Sequence, residues 1–482
     1  MSNSPSTDEL SDQFEYRDKV PLKAKFGFGF ANAANAIMSL IGLGTIDVFY
    51  IKVYGANPSL LAWSWIFFIA WNMINDPLIG IVQDRTKTRW GRRIPYLRFG
   101  ALPYTLSFIL IWFPFMQSEL GLFINHFLML FVFDTFFSMM GLITFGLPAE
   151  MAITAKERTK ISIFGIVFGA IGMILRWTIE PLFLAGDHPN KFGFQIVVTI
   201  LGIFSGLLLF ISSFNIKENL YTSKEKAFGF VKSITETFKN KPFLISEVAV
   251  FFMVIMTETI TNGFIYLFDY VLVFSSYSII FLIIFIVISI VLVVWIYRKM
   301  NQWGLRKVLI NSSLISLIGF VMVFIIGIVL NSKVPFEIGF FGISFICLGL
   351  LVFFINQGPL IAESIDYDEI RTGKRRETTY AGVNALITKP AISIAHTSIL
   401  GIMGLFGFIE GEVVSLQPPS VSTGVLIAIT FVPIICLIIV IISLLFYPLK
   451  GGDWQAKKLY IQRVHIQKEK EYLESLKDKH DT

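Results

Sequence analysis

The stretch NDPLIGIVQDRTKTRWGRRIP, residues 75–95, joins an apolar segment to a block of positive charge. Residues 60–82 are almost wholly apolar, yet Asn72 and Asp76 lie among them. Five basic residues then follow within nine positions: Arg85, Lys87, Arg89, Arg92 and Arg93. This layout is typical of a helix that crosses a bilayer and leads into a cytoplasmic loop. Because polar groups inside a bilayer are costly, Asn72 and Asp76 indicate a functional site.

The composition predicts the same environment for the whole chain. Of 482 residues, 55% are hydrophobic and only 15% are charged, and the mean hydropathy is +0.70. A soluble chain would carry about 25% charged residues. Apolar blocks of roughly 20 residues recur, which is enough to cross a hydrocarbon core of about 30 Å. We therefore predict an all-α polytopic membrane protein.

The apolar blocks predict about twelve transmembrane helices in two halves of six. The predicted spans are 26–51, 60–83, 97–117, 122–147, 161–184 and 194–214, then 243–270, 278–297, 307–330, 336–361, 380–408 and 421–447. The chain then divides into an N-terminal segment 1–25, a first half 26–214, a central loop 215–241, a second half 242–447 and a tail 448–482.

Lysine and arginine concentrate in loops on one side of the predicted bundle, at 85–98, 156–160, 217–241, 298–307 and 371–376. The opposite loops offer only Lys52, Lys191 and Lys333. Because short basic loops stay in the cytoplasm, we expect both termini and the central loop to be cytoplasmic. We expect a multi-pass protein of the plasma membrane, with the tail as a partly amphipathic helix at the membrane surface.

Several other classes of protein fit the sequence poorly. The net charge of +6 is spread through short loops, so nucleic acid is a poor partner. Cys347 and Cys436 lie in apolar runs and predict buried thiols. The sequence has no nucleophile–base set, phosphate-binding glycine loop or metal-ligand spacing. We therefore expect no enzyme activity, no cofactor and no structural metal, and a chain that functions as a monomer.

The two predicted halves carry matching loop motifs. TRWGRR (88–93) follows the second span, and NQWGLRK (301–307) follows the eighth. LPAEMAITAKERTK (147–160) follows the fourth, and LIAESIDYDEIRTGKRRETT (360–379) follows the tenth. This pattern predicts a parallel internal repeat, which is typical of the major facilitator fold. In that fold the solute binds between the halves near the midplane, and the halves rock around it.

The same motifs resemble those of a known family. DPLIGIVQDRTKTRWGRRIPY (76–96) resembles the second-span motif of the glycoside–pentoside–hexuronide:cation symporters, the melibiose permease family. Similar to its other motifs are AEMAITAKERT (149–159), TNGFIYLFDYV (261–271) and AESIDYDEIRTGKRRE (362–377). Lys389 falls on the lysine of its eleventh span, and the resemblance runs from about Phe26 to Phe408. It implies a cation-coupled secondary transporter of a sugar or glycoside-like solute that works by alternating access.

The resemblance places a cation site in the second span, where the family has two acids one turn apart. This chain keeps Asp76 but has Asn72 at the other position. Lys389 supplies a counter-charge that would keep Asp76 ionised or would replace the missing cation altogether. Two acids with hydroxyls can hold Na⁺, whereas one carboxylate beside Lys389 can exchange a proton. We therefore expect H⁺ rather than Na⁺ as the coupling ion. The alternative for Asn72 and Asp76 is a hydrogen bond in helix packing.

Other polar residues inside the predicted spans are candidate contacts of the solute. They are Asn32, Asn35, Arg176, Glu180, Glu258, Asn262 and Lys389. Asn32 and Asn35 lie where the family has its sugar-binding acid, while the family's fourth-span acid falls on Gly141 and its fifth-span arginine near Ile166. For Arg176 and Glu180, four apart on one helix, a self-contained salt bridge is the alternative.

Two further residues have open interpretations. Asp134 lies seven residues before Gly141, on nearly the same helix face, and could replace the missing acid or compensate a charge on a neighbouring helix. His396 could relay a proton or could be a packed imidazole.

Charged residues in the basic loops predict a gate at the cytoplasmic mouth. The gate residues are Asp84, Arg85, Arg92 and Arg93 from the first half and Asp366, Glu369 and Arg376 from the second. Opposite charges that face each other across the halves can hold the mouth closed and separate in each cycle. The alternative is that these residues only orient the protein in the membrane.

Two other functions stay open at the level of sequence. The missing sugar-reading acid and arginine favour an amphiphilic solute such as a lysophospholipid. A non-transporting membrane sensor could also keep the fold, although the retained gate motifs and the Asp76–Lys389 pair count against it. The expected partners are a small solute, a coupling cation and the lipid bilayer.

Overall fold

The computed structural model describes residues 20–86, 88–152, 155–216, 235, 237–273, 304–373, 376–461, 463 and 467, nearly all of them in helices. The first half contains α1 (Leu22–Tyr54), α2 (Pro58–Arg85), α3 (Ile94–Leu110), α4 (Glu119–Met151), α5 (Ala155–Leu184) and α6 (Lys191–Asn215). The second half contains α7 (Lys241–Tyr270), α8 (Leu305–Val329), α9 (Phe336–Thr372) and α10 (Glu377–Leu405). Its last span consists of α11 (Pro419–Leu426), a π-helical segment (Ile427–Phe431) and α12 (Val432–Phe446).

The helices confirm the predicted all-α membrane architecture. Ten helices of the described part are long and apolar enough to cross a bilayer. The 17-residue α3 forms the third predicted span. The predicted eighth span, 278–297, lies outside the described residues, as do most of the N-terminal segment and most of the central loop.

Two helix ends differ from the prediction for local reasons. Helix α3 ends at Leu110 rather than near 117. Pro114 follows, and a proline disfavours helical geometry in the residue before it. Helix α9 continues to Thr372 rather than 361, because its last three turns carry charged residues, which end an apolar span but do not end a helix. Gly373 ends the helix with φ 69°, the left-handed geometry that glycine adopts without strain.

Short connections make consecutive helices antiparallel, so the bundle has two distinct ends. We name the end that carries Arg92 and Arg376 the basic end, and the opposite end the distal end. Two short parallel strands, β1 (Leu272–Val273) and β2 (Val334–Pro335), pair at the distal end. They were not predicted, because two-residue strands leave no periodic pattern.

In the described part of the chain, the most extensive packing between the halves involves two helices. Helix α2 of the first half packs along α10 of the second. Within the halves, α1 packs on α5 and α8 packs on α9. The beginning of the tail is helical at 451–461 and lies against α9, where Lys458 Nζ is 2.9 Å from Glu363 Oε1. The interface of α2 with α10 positions the polar residues described next.

Candidate functional site

Lys389 of α10 occupies the centre of a polar cluster between the halves. Its ammonium lies 2.6 Å from Asp76 Oδ1, 2.6 Å from Ser138 Oγ and 3.2 Å from Asn75 Oδ1. Asp134 Oδ1 is 4.0 Å away. The side chains of Lys389 and Asp76 are only 12% and 14% exposed. Oxygen atoms of α2 and α4 therefore surround a cation that is covalently attached to the other half.

Asn72 also contacts Lys389, through the main chain of the lysine and not through its ammonium. Its Nδ2 donates to the main-chain oxygen of Lys389 at 3.1 Å. Asn72 and Asp76 thus both bind Lys389. The lysine ammonium lies beside Asp76, where the sequence predicted the site of the coupling cation.

Asn75 and Asp134 complete the cluster. Asn75 Nδ2 donates to the carboxylate of Asp134, and both side chains are buried. Asp134 therefore lies beside Lys389 as part of one cluster with Asp76. The prediction for the second span omitted Asn75, although its amide next to Asp76 in an apolar segment was a signal that could have been used.

A second polar cluster surrounds Asp47 of α1, nearer the distal end. Asp47 Oδ1 accepts a hydrogen bond from Trp65 Nε1 at 2.9 Å and lies 2.9 Å from His126 Nε2. Asp47 Oδ2 lies 2.5 Å from His396 Nδ1. The His396 ring stacks on Trp65 with centroids 3.9 Å apart. All four side chains are buried, and the contact between Asp47 and His396 joins the halves.

Arg176 and Glu180 of α5 extend this second cluster. Arg176 Nε lies 3.2 Å from Glu180 Oε2, which also accepts a hydrogen bond from Thr45 Oγ1 at 2.6 Å. Arg176 Nη2 donates to Gly44 O at 2.8 Å and to Asn262 Oδ1 at 2.7 Å. A side chain at Gly44 would collide with the guanidinium, so glycine allows this approach. The salt bridge is present, and it also contacts α7 of the other half.

Asn262 connects Arg176 to His396. Its Nδ2 lies 2.9 Å from Glu258 Oε2 and 3.1 Å from His396 Nε2. The candidate residues Arg176, Glu180, Glu258 and Asn262 are therefore members of one hydrogen-bonded network with Asp47.

Asn32 and Asn35 lie apart from both clusters, towards the basic end of α1. Asn32 Nδ2 donates to Phe28 O at 2.9 Å, within its own helix. Asn35 Oδ1 accepts a hydrogen bond from Tyr104 at 3.2 Å. The structure does not bring these two amides together with Lys389 or Asp47, and their role as solute contacts stays a prediction.

Asp47 and His126 were missed from the sequence. The resemblance directed attention to residues 31–35 for a first-span acid, and Asp47 lies more than three turns later. An acid inside the apolar part of α1 was itself a usable signal, since such a charge needs a partner or a function. Among the described residues no group of His, Cys, Asp and Glu is suited to hold a metal ion.

Further contacts join the two halves at the distal end. Lys52 of α1 forms a salt bridge with Asp269 of α7, and both side chains are 5% exposed. Asn57 Nδ2 lies 2.5 Å from Glu410 Oε1. In the loops, the Ser415 N–H donates to Asp187 Oδ1 at 2.9 Å, and hydrogen bonding to Ser415 lowers the pKa of this carboxyl. The distal end is therefore closed.

At the basic end the described ion pairs lie within one half. Arg92 Nη2 and Arg93 Nε lie 2.8 and 2.6 Å from Glu150 Oε1. Arg376 Nη2 lies 2.5 Å from Asp368 Oδ2. Arg85 ends α2, Asp366 and Glu369 lie on the last turns of α9, and the Asp84 side chain is outside the described part. A gate across the halves stays a prediction for a state with an open distal end.

Comparison with known proteins places this geometry in context. A family model described as MFS/sugar transport protein matches residues 27–451. An uncharacterized symporter of Bacillus subtilis (strain 168), YnaJ, is 24% identical, and the match covers 95% of this chain and 98% of that protein. The isoprimeverose transporter of Lactiplantibacillus pentosus is 22% identical over 92% of each chain.

A solved structure shows the same fold. The crystal structure of a D-xylose-proton symporter aligns with a TM-score of 0.59 at 14% identity, covering 88% of this chain and 96% of that one. At this identity the similarity concerns the fold alone. The fold places both polar clusters between two helical halves.

Proposed function

Because this chain belongs to the MFS/sugar transport protein family, we propose that it is a cation-coupled secondary transporter of a sugar or glycoside-like solute. Membership in this family makes the chain a transporter and not an enzyme. The names of its relatives, a symporter and an isoprimeverose transporter, support both the coupling and the class of solute.

The observation that carries the proposal is the depth and position of Lys389. It lies 12 residues after Glu377 and 16 before Leu405, the ends of α10. These separations correspond to about 18 and 24 Å along the helix axis, so the ammonium is near the middle of the membrane. A charge at this depth costs roughly 2.5–3.5 kcal/mol. Because Lys389 lies between two halves that move relative to one another, its charge can take part in the transport cycle.

We propose H⁺ as the coupling ion. The Lys389 ammonium already contacts the Asp76 carboxylate, and it would repel a metal ion that approached the same oxygens. A proton can exchange at this pair without removing the lysine. The amide of Asn72 adds no negative charge that would favour Na⁺.

The closed distal end supports an assignment of conformation. If the basic end is cytoplasmic, as the lysine and arginine bias favours, the described state faces the cytoplasm. We place both termini in the cytoplasm and the protein in the plasma membrane as a functional monomer. In the outward-facing state the predicted gate residues would then meet across the halves.

The test of this function is solute counterflow in proteoliposomes that contain the purified chain. A panel of labelled monosaccharides, disaccharides and glycosides is exchanged against the same unlabelled solute. We expect saturable exchange of at least one sugar or glycoside, and background exchange in vesicles without protein. Flux of a lysophospholipid with no sugar exchange would contradict the proposal in favour of the amphiphile alternative, and no flux of any solute would favour a sensor.

A further inference from the structure

The hydrogen bonds of Asn262 fix which nitrogen of His396 carries a hydrogen. A guanidinium only donates, so Asn262 must present its oxygen to Arg176 Nη2, 2.7 Å away. The amide nitrogen of Asn262 then faces His396 Nε2 at 3.1 Å, and this ring nitrogen has to accept. His396 therefore carries its hydrogen on Nδ1 and donates it to Asp47 Oδ2. In the closed distal end His396 is neutral.

The second imidazole of the cluster, His126, also contacts Asp47. Its Nε2 lies 2.9 Å from Asp47 Oδ1, and its Nδ1 lies 2.6 Å from the Ser64 hydroxyl. Asp47 Oδ1 therefore already has two partners, His126 and Trp65. On the other side of Asn262, Arg176 is paired with Glu180. The neutral His396 thus lies between two groups of polar side chains that already have partners.

We propose that His396 is a proton-binding site that controls the distal end, which closes when His396 is neutral and opens when His396 binds a proton. A second hydrogen on Nε2 would point at the N–H of Asn262, donor against donor. Turning the amide of Asn262 around would instead present its N–H groups to Arg176, again donor against donor. One bond in the sequence Asp47, His396, Asn262, Arg176 must break, and the first and last of these bonds connect the halves.

Protonation would also strengthen the contact of His396 with Asp47, but three effects limit this gain. Asp47 already has His126 and Trp65 as hydrogen-bond partners. The new charge would lie across one amide from the Arg176 guanidinium, and like charges repel. His396 is 2% exposed, so its charge would be desolvated. Separation of the halves into water relieves the last two effects.

The titratable and charged groups around His396 come from every helix packed at this level. They are Asp47 of α1, His126 of α4, Arg176 and Glu180 of α5, Glu258 and Tyr266 of α7, and Lys389 two turns away on α10 itself. Helix α2 contributes Ser64 and Trp65, which do not titrate. Glu258 is partly exposed and accepts the other N–H of Asn262, so it does not compete for His396 in this state.

The experiment measures the distal opening directly and needs no solute. Spin labels are attached to cysteines that replace Leu120 of α4 and Leu405 of α10, which are 63% and 86% exposed at the distal ends of two helices in different halves. The native Cys347 and Cys436 are replaced by alanine. Pulsed electron paramagnetic resonance then gives the distance distribution of the full-length chain in proteoliposomes between about pH 8 and pH 5, the range in which histidine titrates.

We expect the short distance to dominate at about pH 8 and the longer one to gain as the pH falls. The ratio of long to short distances should rise by up to about tenfold per pH unit, the limit for one linked proton. His396→Gln should remove this response, and His396→Lys, with a fixed charge, should favour the long distance at both pH values. Unchanged distances in the otherwise native chain, or a full response in His396→Gln, would overturn the proposal.

His188 provides the matched control. It lies in the distal loop beside Asp187, outside the cluster that contains His126 and His396. His188→Gln should keep the full response. If His188→Gln lost the response while His396→Gln kept it, the assignment to His396 would be contradicted. The proposal extends the transport cycle proposed above, but its readout is independent of solute. A pH response without sugar exchange would reject the transport function alone, and the reverse result would reject the His396 site alone.

Discussion

At the residue scale, the Lys389 ammonium lies beside Asp76 in the position where a coupling cation would bind. The ammonium contacts Asp76 and Ser138 at 2.6 Å, and Asn72 binds the main chain of the same lysine. A chain with a second acid at position 72 would need another cation to balance it. With the neutral amide of Asn72 at this position, the Lys389 ammonium balances the charge of Asp76.

Replacement of Lys389 by alanine should therefore reduce solute counterflow to background while the protein still inserts. The change leaves Asp76 and Asp134 without their cation, and an unpaired buried group costs about 1–3 kcal/mol, so thermal unfolding should move to lower temperature. Adding Asp76→Asn should recover part of the stability but no transport. Lys333→Ala, a change at an exposed distal lysine, is the control and should alter neither measurement. Normal counterflow in Lys389→Ala would make this lysine a packing residue.

The sequence identified Lys389 and Asp76 but not the full set of their neighbours. The apolar surroundings of Asp76 and the family motif around Lys389 were sufficient to name the pair. The contacts of Lys389 with Ser138 and of Asp47 with His396 join residues 251 and 349 positions apart, which no local pattern encodes. The same limit explains why Arg176 was considered only as a solute contact or as the partner of Glu180, and its bond to Asn262 was not foreseen.

At the element scale, α2 and α10 share an unusual feature. Each has a proline directly after its central charged residue, Pro77 after Asp76 and Pro390 after Lys389. A proline inside a helix removes one backbone hydrogen bond and bends the helix. Neighbouring helices in a membrane can satisfy the freed carbonyl groups. Helices α2 and α10, which pack against each other between the halves, are therefore locally weakened at the site itself.

We expect Pro390→Ala to slow transport without weakening solute binding. The restored N–H can bond to the preceding turn of α10, which stiffens the helix at the point where the halves move. The exchange rate in counterflow should fall several-fold, while the solute concentration for half-maximal exchange stays unchanged. Pro103→Ala in α3 is the control, since that proline also lies inside a helix but outside the interface of α2 with α10. Equal rates in both variants would show that the bend at Pro390 has no part in the movement.

Helix ends show what the sequence could and could not predict about the elements. Runs of apolar residues located the helices, but hydropathy alone stopped α9 at 361, where the charged turns begin. In the last three turns, buried acids are paired with basic side chains, Glu363 with Lys458 and Asp368 with Arg376, and Gly373 terminates the helix. The length of α9 carries Asp368 and Glu369 beyond the apolar layer, to the level of the basic-end ion pairs.

At the scale of the whole molecule, contacts between the halves close the distal end. Lys52 pairs with Asp269, and Asn57 contacts Glu410. The Lys389 cluster lies between this end and the basic end. A closed distal end is expected in one of the two end states of an alternating-access transporter.

Ion-driven accumulation in proteoliposomes tests the central claim of cation-coupled transport between the halves. An inward H⁺ gradient should drive a sugar or glycoside that is exchanged in the counterflow assay above its equilibrium concentration. A Na⁺ gradient at fixed pH and membrane potential should not drive this accumulation. Asp76→Asn should abolish accumulation and retain exchange, because only the energised step needs a titrating carboxyl. A steep rise of uptake with Na⁺ at fixed pH and potential would contradict proton coupling and would make Asn72 a neutral oxygen ligand of Na⁺.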